Sequence, residues 1–174
     1  MPVTYKKIAS VTVGSGGAAS IDFQNIPQTG YTDLLLKFSL RGDLASTVTY
    51  AMVDFNNSNA NKSGRLLAGN GSSAYSASYS DIFTGGTGSN ATASTFANGE
   101  MYVLNYLGSA NKSMFADMVG ENNATSADQW LFAGLWSNTA AINRITLHAA
   151  DGSFSRNKLW VQHSTAVLYG ISKS

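Results

Sequence analysis

Apolar and polar positions alternate along this chain in short bursts. From Asp33 to Arg41, Leu34, Leu36, Phe38 and Leu40 fall on one face, while Asp33, Lys37, Ser39 and Arg41 fall on the other, with Leu35 the exception. A period of two sends successive side chains to opposite faces of an extended chain. The segment therefore predicts a strand with one face against a core and one against water. Ser20–Ile26 repeats the pattern, with Ile21 and Phe23 opposed to Asp22 and Gln24. The same reasoning predicts strands over Lys6–Val13, Val48–Phe55, Glu100–Leu107, Ser113–Val119, Trp130–Trp136, Ile142–His148 and Leu159–Ile171, the last open to division in two. Turn formers separate them, including Gly14-Ser15-Gly16-Gly17, Ile26-Pro27, Leu107-Gly108-Ser109, Glu121-Asn122-Asn123 and Asp151-Gly152. No stretch of ten or more residues carries a convincing 3.6-residue period. Short strands with frequent turns predict an all-β fold, an antiparallel β-sandwich of jelly-roll type.

The stretch 57–99 breaks the rhythm. Its large apolar side chains are only Leu66, Leu67, Tyr75, Tyr79, Ile82, Phe83 and Phe96. Two readings stand side by side for it: a projecting contact region, or a pair of polar edge strands with slack connections. Within it, Ala60-Asn61-Lys62-Ser63 is echoed by Ala110-Asn111-Lys112-Ser113. Four residues seen twice do not make a repeat, and shared turn preferences explain them.

Composition narrows the function classes. The 174 residues are expected to form one domain spanning 1–174, large enough to fold without a staple. There is no cysteine, which excludes disulfides, thiolate metal sites and a cysteine nucleophile. Net charge is +1 and the lysines and arginines are scattered, so no basic face invites nucleic acid. Neither a secretory leader nor an apolar run of membrane-spanning length is expected. Gly, Ser, Asn, Thr and Ala supply 91 of the 174 residues, a composition of turns and tightly packed sheets.

No motif selects a catalytic centre. His148 and His163 lack metal-ligand spacing, and the ten carboxylates form no recognisable pair. No cofactor and no metal are expected. Arg41-Gly42-Asp43 matches a cell-adhesion tripeptide but follows a strand and reads as a turn. The Asn-x-Ser/Thr triplets, Asn70-Gly71-Ser72 and Asn123-Ala124-Thr125 among them, are what this composition produces by chance. The aromatics carry more. Trp130, Phe132 and Trp136 share one face of a strand whose other face holds Leu131 and Leu135. A strand apolar on both faces is either central in the fold or covered by a partner. Tyr75 and Tyr79, in a Ser/Ala setting, either line a binding surface or cover a sheet edge. Tyr75, Tyr79, Trp130 and Trp136 are thus the candidates for partner or glycan binding.

Several stretches together carry a resemblance. They are Tyr5-Lys6-Lys7-Ile8-Ala9-Ser10, Ile21-Asp22-Phe23-Gln24-Asn25-Ile26-Pro27, Tyr31-Thr32-Asp33-Leu34 with Arg41 closing the strand, and Gly69-Asn70-Gly71-Ser72-Ser73. They continue with Glu121-Asn122-Asn123-Ala124-Thr125, Gly134-Leu135-Trp136-Ser137-Asn138-Thr139-Ala140-Ala141-Ile142, and Ser164-Thr165-Ala166-Val167-Leu168-Tyr169-Gly170-Ile171. In these the chain resembles small virion-associated proteins of tailed bacteriophages, common in aquatic phages and similar to capsid decorations, head fibres and tail-fibre modules. The resemblance implies a non-enzymatic accessory protein of the virion, made in the host cytoplasm. Its partners would be other capsid or tail proteins, further copies of itself (a trimer, by analogy with phage fibres), and a host-surface glycan. It brings no catalytic residues. The alternative from another class is a free carbohydrate-binding module.

Overall fold

Wherever the alternation is clean, the chain is a strand. The computed structural model describes residues 4–123 and 127–172; Ala124 and Thr125, which belong to one Asn-x-Thr triplet and to one of the resembling stretches, lie outside them. The described residues form β1 (Tyr5–Thr12), β2 (Ser20–Phe23), β3 (Asp33–Leu40), β4 (Val48–Phe55), β5 (Lys62–Gly69), β6 (Ala74–Tyr79), β7 (Phe83–Thr87), β8 (Ala97–Val103), β9 (Lys112–Gly120), β10 (Asp128–Trp136), β11 (Ile145–Ala150) and β12 (Thr165–Ile171). In β3, Leu34, Leu36, Phe38 and Leu40 are all buried. Leu35 is buried too, and its cross-strand neighbours on that face are Tyr102 and Tyr169. The last expected strand begins later than its pattern suggested. Its first part, around Trp160, makes only isolated bridges to Ala18 and Gly42, with the indole fully buried.

The strands pair antiparallel in two sheets. The larger has the order β1-β12-β3-β8-β9-β10-β5-β6, and the smaller β2-β11-β4-β7. Setting aside β5, β6, β9 and β10 leaves β1-β12-β3-β8 facing β2-β11-β4-β7. This is the strand order of an eight-stranded jelly roll. The remaining four strands are two hairpins, β5–β6 and β9–β10, that prolong the larger sheet beyond β8. The β5–β6 turn is closed by Asn70, whose Oδ1 accepts from the Ser72 and Ser73 amides at 3.1 and 2.9 Å, and by Gly71 at a φ of +85°.

The prolonged sheet bends around the β7 edge and covers the second face of the smaller sheet. Two consecutive glycines show it. A Cβ on Gly86 would meet Leu40 of β3, whereas one on Gly85 would meet Met118 of β9 and Trp130 of β10. At its β7 edge the smaller sheet is thus packed on both faces. One, with Ile21, Phe23, Val53 and Leu147, is buried in the jelly-roll interior. The other carries an aromatic cluster. Phe83 lies 4.7 Å from Phe132, 5.9 Å from Trp130 and 5.0 Å from Phe154, and Tyr50 lies 5.5 Å from Trp130.

Stretch 57–99 is tied into both sheets: β5 and β6 prolong the larger one and β7 edges the smaller. Its poverty in large side chains reflects close approach of neighbours. The ring of Phe132 fills the space above Gly64, and Gly85 and Gly86 are pressed from opposite sides. β7, Phe-Thr-Gly-Gly-Thr, is buried throughout.

Candidate docking face

The four added strands bury one set of side chains and present the other. In β9, Met114, Ala116 and Met118 point inward, and Phe115, Asp117 and Val119 outward. In β10, Trp130, Phe132 and Trp136 point inward, and Leu131, Ala133 and Leu135 outward. In β5, Leu66 and Ala68 point inward, and Arg65 and Leu67 outward. Cross-strand pairing sets the outward residues in rows. One row runs Tyr102–Phe115–Ala133–Arg65; the next runs Glu100–Asp117–Leu131–Leu67. Phe115, Val119, Leu131 and Leu67 are 52, 49, 50 and 53% exposed.

Phe115 is held in place by stacking on Tyr102, with centroids 5.5 Å apart and planes 16° from parallel. The Tyr102 hydroxyl in turn donates to Asp33 at 2.7 Å. Burial, then that bond to a carboxylate, pushes the Tyr102 hydroxyl up to about 12, so it stays a donor across the physiological range. A shallow depression of about 560 Å³ lies over Leu67, Leu131, Phe115 and Ala133. It shares Leu67 and Leu131 with a second, of about 500 Å³, toward Gly69 and Val119. On the other side it shares Phe115 and Ala133 with a third, of about 360 Å³, toward Tyr102 and Leu104. Together they make one apolar trough across the outer face. On the jelly-roll half of the same face Lys37 and Glu100 pair at 3.1 Å.

The four residues nominated from the sequence separate. Trp130 and Trp136 are buried, and the structure removes both from the list of binding candidates. Their strand is apolar on both faces because one face packs on the smaller sheet while the other, with Leu131, forms the trough. Tyr79 points inward from β6, edge-on to Phe83 at 4.7 Å and to Phe154 at 5.6 Å, which makes it cover for the sheet edge. Tyr75 is 44% exposed at the edge strand, on the opposite side of the sheet from Leu67. The residues that line the trough, Leu67, Phe115, Val119 and Leu131 above all, were not singled out as a group. Their signal was the one read in Trp130–Trp136: apolar side chains on both faces of β5, β9 and β10.

Two polar clusters brace the added strands. Lys62 begins β5 and Lys112 begins β9, and both are paired with Trp136, one on each side. The echoed tetrapeptides therefore hold equivalent positions in the sheet. The Lys62 ammonium is fully buried and bonds Asp54 at 2.5 Å, the Val53 carbonyl at 2.6 Å and Asp81 at 3.2 Å. Arg156 and His148 also reach Asp54, at 2.8 and 3.2 Å. Burial by itself would raise the Asp54 carboxyl. Hydrogen bonds from His148, Lys62 and Arg156, with the charge of Lys62, outweigh it and hold the group well below the usual carboxylate range. Lys112 instead donates to the carbonyls of Gly108 and Ala110, each at 2.6 Å, and its burial lowers its basicity. In the adhesion-like tripeptide, Arg41 is spent inside the fold. It donates to the carbonyls of Thr92, Thr95 and Ala91 at 2.9, 3.0 and 3.0 Å, and Asp43 accepts the Leu159 amide at 2.9 Å.

Among the described residues no group of three or more His, Cys, Asp or Glu side chains is placed to hold a metal ion. No protein-family model matches the chain, and no curated protein matches it either.

Proposed function

We propose that this chain is a non-enzymatic accessory protein of a tailed-phage particle, and that it docks through the outer face of its four added strands. The observation that carries the docking reading is the apolar trough around Leu131. A jelly roll is complete without β5, β6, β9 and β10, yet these strands are built with half-exposed leucine, valine and phenylalanine aligned in adjacent rows. Contiguous exposed apolar surface of this kind marks an interaction site. The virion assignment rests on the resemblance, and a surface-bound decoration or a fibre component both fit it.

Purified protein added to phage particles that lack it should sediment with them. Leu131→Asp should keep the melting temperature and lose co-sedimentation, because a charge buried at an interface without a partner is strongly unfavourable. Wild-type protein that ignores such particles but binds a defined glycan in isolation would replace this reading with that of a carbohydrate-binding module.

A further inference from the structure

The arrangement of charge around the trough assigns an occupant to it. Phe115, Ala133 and Arg65 form one row, and Asp117, Leu131 and Leu67 the row beside it. Arg65 and Asp117 therefore stand at opposite corners of an apolar rectangle, with Phe115 and Leu67 at the other two. Opposite charges on one diagonal make a surface complementary to itself. A twofold axis lying in the sheet plane, perpendicular to the Arg65–Asp117 diagonal at its midpoint, lays Arg65 of one copy over Asp117 of the other, and the reverse. It also brings Leu131 of the two copies together near the centre, with Phe115 against Phe115 and Leu67 against Leu67 toward the two ends. Arg65 is exposed, and among the described residues its guanidinium bonds only the carbonyl of its neighbour Gly64, at 2.8 Å, which leaves it able to reach outward.

We infer that the trough binds a second copy of this chain in an isologous pair, each copy contributing Arg65 to the other's Asp117. The inference rests on the docking reading of the same face and narrows it: the neighbour that covers this face on the particle is a second copy of this chain. It favours a twofold pair over the threefold assembly expected by analogy with phage fibres.

The available area fits a modest, concentration-dependent pair. The face spans β8, β9, β10, β5 and β6. At about 4.8 Å between strands and about 3.3 Å per residue, it offers roughly 600 Å² per copy. The pair then buries roughly 1,200 Å², the lower edge of specific interfaces. The strands of the two copies would cross at a steep angle, close to the orthogonal class of sheet packing.

Sedimentation velocity from micromolar to millimolar concentration tests this on the full chain. Wild type should pass from monomer to dimer. Arg65→Asp and Asp117→Arg should each weaken self-association about tenfold or more, since each turns two attractive pairs repulsive. An equimolar mixture of the two variants should recover wild-type affinity as a mixed dimer. The aspartate introduced in one variant then faces the arginine introduced in the other, and the native Asp117 of the first faces the native Arg65 of the second. Unchanged melting temperatures show that both variants fold. A monomer at every concentration, a trimer, or a mixture that fails to recover would overturn the inference. Co-sedimentation with particles separates this from the docking reading. A strict monomer that still binds particles removes only the pair, and a charge-dependent pair that ignores particles removes only the virion docking.

Discussion

Replacing Gly64 with alanine tests whether small residues in β5 make room for a ring. A Cβ there would stand 2.1 Å from Cζ and 2.7 Å from Cε1 of Phe132, and 2.9 Å from the Asp81 carbonyl oxygen. Carbon atoms are comfortable at about 3.5 Å or more, so the ring would have to retreat by more than about 1 Å. Its retreat is obstructed, since Phe132 is buried and lies 4.7 Å from Phe83. Overpacking a well-filled site costs about 1–3 kcal/mol, and obstruction on both sides places Gly64→Ala near about 3 kcal/mol. In a domain of this length that lowers the melting temperature by about 6–10 °C. Denaturant titration, followed by tryptophan emission and far-ultraviolet circular dichroism, reads the free energy. Phe132→Leu deletes the two ring atoms in question and costs stability by itself. The double variant should nevertheless lose at least about 1 kcal/mol less than the two single losses added together. Strict additivity, or a Gly64→Ala loss below about 0.5 kcal/mol, would refute the packing argument.

Further expectations concern the interior and the polar bracing. Phe38→Ala should cost about 3–5 kcal/mol in the same titration, the usual loss for an emptied aromatic site; a loss below about 1 kcal/mol contradicts its core placement. The three tryptophans, all buried, should emit at short wavelength and resist acrylamide quenching, and exposed-type emission from the native protein would contradict the burial of Trp130 and Trp136. The Asp54 carboxyl is lowered in the fold, so on acidification the unfolded chain takes up the proton first. Its stabilisation is then complete above about pH 5 and is lost progressively below about pH 4. Urea midpoints should fall between neutral pH and pH 3, and Asp54→Asn should shrink that fall while lowering the midpoint at neutral pH, since Lys62 loses its nearest anion. A midpoint that rises with acid would contradict this sign.

What the sequence disclosed follows from how each strand is buried. β3 has one face in the core, and its alternation gave both its existence and its inward residues. β4 was readable to its ends because it is long and rich in residues that favour strands. β5, β6 and β7 fell in a stretch open to two readings, polar edge strands or a contact region, and part of the reason is tertiary: Gly64 faces Phe132, Gly85 faces Met118 and Trp130, and Gly86 faces Leu40, so these positions carry no alternation to read. The jelly-roll type followed from strand number and turn spacing, but the prolongation of one sheet around the other did not, since no local pattern records which edge a hairpin joins. The site was half legible. Apolar residues on both faces of Trp130–Trp136 indicated either a central strand or a covered one, and the strand is central on its tryptophan side and open on its Leu131 side. Tyr75 and Tyr79 drew notice because they stood out in a polar stretch, yet Tyr79 serves the aromatic cluster.

The central claim, that the outer face of the added strands is where this protein associates, is tested most directly by radical footprinting of side chains. Protein bound to particles lacking it would be compared with dilute free protein. Labelling should fall at Leu67, Phe115, Val119 and Leu131 and stay constant at Leu159, which is also exposed. Unchanged labelling at those four positions in the bound protein, or protection centred on Leu159, would contradict the account.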